Sequence, residues 1–115
     1  MSKRLFNLFL QDIIDCIERV EKYTEGYDRD KFIRDEKTGD AVIRNLEIIG
    51  EAARNIPQEV KNISHQIPWK KIIGFRNIVI HEYYFVDLQN VWFIIEKQLP
   101  QLKVEIQKLL KNHKT

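Results

Sequence analysis

The chain has 115 residues, of which 43% are hydrophobic, 31% charged and 10% aromatic, and 19 basic against 17 acidic side chains leave a formal net charge of +2. These values describe a globular protein of one domain, residues 1–115, with enough apolar side chain for a real core. They exclude a disordered chain, a bilayer span of about 20 successive apolar residues, and nucleic-acid binding driven by bulk charge.

The first predicted element is an amphipathic helix in which Phe6, Phe9, Leu10, Ile13, Ile17 and Val20 recur at three- and four-residue spacing. Its basic and then apolar start has the look of a signal peptide. However, Gln11, Asp12 and Asp15 break the run and no small-residue cleavage site follows, so a cytoplasmic protein is expected. Cys16, the single cysteine, excludes an intramolecular disulfide and a thiolate metal site, and reads as a packing residue. Gly26 in TEGYD stops the helix. DRDKFIRDEKTGD reads as a short helical turn and a polar connection. A second long helix carries Val42, Leu46, Ile49, Ala53 and Ile56 on one face and ends at Pro57. Gly50, Ala52 and Ala53 keep part of it thin, so that another helix can approach closely.

PQEVKNISHQIP reads as a polar loop or short turn, and Pro68 suits the first position of a third helix. From Ile72 to Ile80 that helix is apolar nearly all round, the pattern of a buried helix. Asp87 is the expected N-cap of a fourth helix bearing Leu88, Val91, Trp92, Ile95 and Leu99. Pro100 starts or kinks into a last segment with Leu102, Ile106, Leu109 and Leu110, and the tail KNHKT is expected to fray. No strand-like alternation, repeat or linker competes. The expected fold is a single all-α bundle of four to five helices.

The third helix and its exit, IIGFRNIVIHEYYFVD, hold three polar side chains in an apolar run: Arg76, Asn77 and His81. On an ideal helix Arg76 shares a stripe with Trp69, Ile72, Ile73, Ile80 and Tyr83, while Asn77 and His81 share a neighbouring one. Arg76 and His81 then point about 140° apart. They converge on one ligand only if the helix distorts near His81 or a second copy of the chain supplies the other half. A structural role is the competing reading, with Arg76 paired to Glu47 or Glu51 and His81 donating to a backbone carbonyl. An unpaired buried guanidinium is costly, and spacing alone leaves both roles open.

RNIVIHEY fits the Arg–four residues–His–any–Tyr signature of the HepT-type HEPN toxins. DAVIRNLEIIGEAARNIP, IPWKKIIGFRNIVIHEYYFVD and VWFIIEKQLPQL also resemble that family's segments in order and spacing, so the resemblance covers roughly residues 6–110. It implies a helical bundle that pairs as a homodimer, bringing two motifs into one cleft. The implied activity is that of a metal-independent endoribonuclease toxin needing no cofactor. Arg76 and His81 are the implied catalytic pair, with Asn77 in a supporting position. The implied partner is a minimal nucleotidyltransferase antitoxin of the MntA type, which inhibits by adding AMP to Tyr83.

The residue chemistry agrees. Metal-free RNA cleavage needs a 2′-hydroxyl deprotonated, a leaving oxygen protonated and phosphorane charge stabilised. Histidine changes charge near neutral pH and serves as acid or base, and the guanidinium fork suits phosphoryl oxygens. No carboxylate–His cluster has metal-ligand spacing. Lys70 and Lys71, with Lys61 before them, form a basic rim for the RNA backbone or are simply solvated. Tyr84 reads as a packing residue, and no specific role is expected for His65, His113 or the sequon at Asn62. Two other classes compete: a non-catalytic HEPN module that binds a nucleotide or a nucleotidyltransferase, and a purely structural dimer.

Overall fold

The computed structural model describes residues 2–81 and 86–113, the last without its side chain. The first helix, α1 (Lys3–Tyr23), opens with the Ser2 hydroxyl accepting from Leu5 N–H at 3.2 Å. Its inward face, including Leu10, Ile13, Ile17 and Val20, is sealed from solvent. Cys16 lies in that face and burial pushes its thiol above the ordinary range, so it is the expected packing residue. Gly26, at φ 78°, takes the left-handed turn that ends the segment.

Helix α2 (Arg29–Arg34) is capped by Asp28, and α3 (Glu36–Arg54) by Asp35, so helix begins again within the expected polar connection. The Asp35 carboxylate accepts from Thr38 N–H at 3.1 Å, Thr38 Oγ–H at 2.8 Å and Tyr27 O–H at 2.5 Å. A one-turn helix, α4 (Gln58–Asn62), occupies the expected polar loop, with Val60 buried as its anchor. Ser64 donates to the Val60 carbonyl at 2.6 Å and accepts from Trp69 Nε1–H at 3.2 Å. That junction sets the start of α5 (Trp69–His81), one residue after Pro68.

Asp87 caps α6 (Leu88–Phe93) by accepting from Gln89 N–H at 2.9 Å, as expected. A π-turn (Ile94–Gln98) joins α6 without a break to α7 (Leu99–His113). Pro100 has no N–H to donate one turn back and its ring crowds that carbonyl. The wider turn, in which Leu99 N–H reaches Ile94 O, accommodates it.

Helix α3 lies at the centre, with α1 and α5 packed along it, α7 against α1, and α2 holding α6. The Phe32 and Trp92 rings, 5.5 Å between centroids, join those last two. No strand occurs among the described residues, and no helix is long and apolar enough to cross a membrane.

One expectation fails in this single chain. Helix α5 is not buried all round: only Trp69 and Val79 are enclosed, while Ile78 and Ile80 are 46% and 44% exposed. The helix rests on α3 by one side, and its outer side is uncovered.

Candidate active site

Two helices place the arginine. A Cβ added to Gly50 of α3 would overlap Arg76 Cβ and sit 3.0 Å from the Ile72 carbonyl oxygen, so only glycine allows α5 to lie this close. The thin face expected of the second long helix therefore has a definite neighbour, the base of the Arg76 side chain.

Arg76 is largely covered, with 18% of its side chain exposed. Its Nη2 lies 2.8 Å from Glu51 Oε2, and its Nη1 donates to Asn77 Oδ1 at 3.0 Å. Its Nε is buried and has no hydrogen-bond partner among the described residues. Of the two carboxylates considered as partners, Glu51 pairs with Arg76, whereas Glu47 takes Arg44 at 3.1 Å. The side-chain oxygen of Asn77 thus accepts from one arm of the guanidinium.

Arg76 also forms one wall of a pocket of about 370 Å³ between α1 and α3. Arg44, Glu47 and Glu51, from one stripe of α3, and its C-cap Asn55 line it with Phe9 and Asp12 of α1. Sequence reasoning passed over Arg44 and Asp12. The signal was there, since Arg44, Glu47 and Glu51 recur at the helical spacing that shares a face with the arginine's partner.

His81, the last residue of α5, is exposed. Helix α5 runs regularly to that point, so the imidazole projects away from the Arg76 side by about 140°. Helix geometry alone does not aim the two side chains at one point within a single chain. Lys70 and Lys71, in the first turn of α5, are exposed. Lys71 borders a second, more apolar groove of about 340 Å³, with Lys97 and Phe75 among its lining. Tyr83 lies outside the described residues. Among the described residues, no three His, Cys, Asp or Glu side chains are grouped to hold a metal ion.

Comparison with known proteins bears on this arrangement. The family model described as Ribonuclease HepT-like matches residues 13–109. A "Probable ribonuclease HepT" of Thermococcus cleftensis is 40% identical over 109 residues, covering 95% of this chain and 99% of that one. A candidate RNase of Methanocaldococcus jannaschii is 39% identical over 107 residues, covering 93% and 98%. A longer protein of that organism, whose name joins a gamma-glutamylcyclotransferase to a candidate RNase, is 41% identical over 103 residues; these span 90% of this chain and 46% of that one. No solved structure matches the chain significantly. Residues 13–109 include all of α3 and α5, so the match takes in the helix that carries Arg76 and His81 and the one it packs on, and the chain belongs to the HepT-like ribonuclease family.

Proposed function

We propose that the protein is a metal-independent endoribonuclease, the toxin of a toxin–antitoxin pair, acting as a homodimer whose cleft holds two copies of Arg76 and His81. The observation that carries this reading is the outer side of α5. It leaves His81 exposed beside Ile78 and Ile80, which are about half-exposed, while Arg76 is anchored on the inner side. A second chain laid on that side covers the isoleucines and offers its own histidine to the first chain's arginine.

In such a cleft one imidazole takes the proton of a ribose 2′-hydroxyl, and the 2′-oxygen attacks the adjacent phosphorus. The bond to the 5′-oxygen breaks, and the second imidazole, protonated, gives its proton to that oxygen. The products carry a 2′,3′-cyclic phosphate and a 5′-hydroxyl. Arg76 binds the non-bridging oxygens, where negative charge grows as the phosphorane forms. Asn77 steadies the guanidinium, and Lys70 and Lys71 contact flanking phosphates. An MntA-type nucleotidyltransferase adding AMP to Tyr83 would bring a phosphate toward the same guanidinium and so block RNA.

The Glu51–Arg76 pair favours a second reading, in which Arg76 is a strut between α3 and α5 in a non-catalytic module that binds a nucleotide or a nucleotidyltransferase. Incubation of the purified protein with total tRNA and EDTA, beside His81→Ala and Arg76→Ala, separates the two. Fragments ending in 2′,3′-cyclic phosphate, absent with either folded variant, support the enzyme. Ends bearing 3′-hydroxyl, or strict dependence on Mg²⁺, overturn the mechanism. An unmodified, folded native protein that leaves RNA intact points to the binding module.

A further inference from the structure

We infer that Glu51 is a positioning residue that holds Arg76 as its counter-charge until an RNA phosphate displaces it, an inference that rests on the ribonuclease reading above. Three features lead there. The Glu51 carboxylate engages the guanidinium through Oε2, at 2.8 Å, and is itself 50% exposed in the lining of the pocket. The guanidinium is not saturated, because its buried Nε finds no acceptor among the described residues. And the same Glu51 oxygen lies 3.8 Å from Nη1 of Arg54, whose side chain is 52% exposed.

Together these describe an exchange. An isolated guanidinium in so covered a place would be costly, so the free protein needs the carboxylate. A phosphate reaching Arg76 meets a cation already neutralised and repels the carboxylate beside it. Arg54 gives Glu51 somewhere to go: as Arg76 turns to the phosphate, Glu51 moves to Arg54, and neither charge is stranded. Asn77 keeps hold of the other arm, so the guanidinium pivots rather than swings free. Glu51 thereby sets how strongly RNA must bind before Arg76 is delivered to it.

The test uses a labelled single-stranded RNA and the full chain, with binding measured in the His81→Ala background to prevent cleavage. Glu51→Gln keeps an oxygen for the guanidinium but removes the competing charge. RNA should bind roughly fivefold tighter, the range of a half-exposed ion pair. In the active background the gain should fall on KM rather than kcat. Arg54→Ala should act oppositely and weaken RNA binding, since Glu51 then has nowhere to go. Equal affinity in Glu51→Gln, with Arg76→Ala still inactive, overturns this inference alone. RNA bound by none of the variants, with no cleavage by the native chain, overturns the ribonuclease reading and this inference with it. A loss of melting temperature in Glu51→Gln accompanied by weaker binding makes Glu51 a strut and also overturns it.

Discussion

Gly50→Ala tests the packing that carries the whole site. In an ordinary helix interior, alanine is favoured over glycine by about 1 kcal/mol, so α3 by itself should gain. Against that stands the overlap with α5. The new methyl would collide with Arg76 Cβ, lie 3.1 Å from Arg76 Cγ, and press on the Ile72 carbonyl oxygen at 3.0 Å. Backbone and Cβ atoms cannot rotate away, so the helices must part by about 1 Å to restore carbon contacts of about 3.5 Å. Overpacking of this kind costs about 1–3 kcal/mol, and backbone involvement puts it at the upper end. The net expectation is a loss of about 2 kcal/mol, or about 8 °C in melting temperature for a chain of this size. Gly39→Ala in the same helix is the control. There the added methyl meets only the Leu88 side-chain end, at 3.3 and 3.7 Å, which can turn aside, so the helix gain and the packing cost should nearly cancel. Thermal unfolding followed by far-ultraviolet circular dichroism measures both. If Gly50→Ala melts at or above Gly39→Ala, the close seating of α5 on α3 is not a constraint, and the placement of Arg76 argued from it fails.

Acid should act through the cap of α3. Hydrogen bonds from Tyr27 and Thr38 lower the Asp35 carboxyl from 3.8 to about 2, so its stabilisation is complete above the unfolded value and disappears as pH falls through about 2. Urea unfolding from about pH 4 downward should therefore weaken more steeply in the native chain than in Asp35→Asn; parallel curves would rule out the cap as the titrating group. Ser64→Ala removes a fully buried hydroxyl that bonds both Val60 O and Trp69 Nε1–H, and should cost about 1–2 kcal/mol at unchanged denaturant slope. In the cleavage assay, His81→Ala should lose about 10²–10⁴-fold in rate. Arg76→Lys, which keeps charge but not the fork, should lose about 10²-fold or more. A lysine variant as fast as the native chain would show that charge alone suffices.

The helices were legible because periodicity records which side of an element is dry. The faces of α1 and α3 were read from Leu10, Ile13 and Ile17 and from Val42, Leu46 and Ile49, all buried, although Phe9 is only partly buried and the buried Ile14 and Ile43 fell outside the pattern. Asp87 was legible as a cap because its short carboxylate meets a free amide. Helix α4 was hidden by its polarity, since a single buried Val60 makes no pattern. Helix α5 was misread for a deeper reason. An apolar run such as Ile78–Ile80 does not by itself state which of its residues the chain's own helices cover, and here only Val79 is enclosed. At the site, the Arg76 partner was narrowed to two glutamates, and the choice of Glu51 depended on Gly50 fixing where α5 lies. The polar stripe of Arg44, Glu47 and Glu51 was legible in its spacing, but the pocket was not, because its lining joins residues of α1, α3 and α5.

The π-turn before Pro100 has a bearing on how the chain can change in length. Val91 and Leu99 both face the core, although eight residues of regular α-helix would set them about 80° apart. The wider turn takes that difference back, so Ile94–Gln98 holds one residue more than a straight helix between the same two points would need. A one-residue deletion inside α7 would rotate everything beyond it and carry Ile106 and Leu109 out of the core. The same deletion within Ile94–Gln98 would turn the π-turn into ordinary helix and leave those faces where they are. Single-residue loss in the C-terminal half of the bundle therefore disturbs the core less at that turn than inside α7, although it takes away the room that the wider turn gives Pro100.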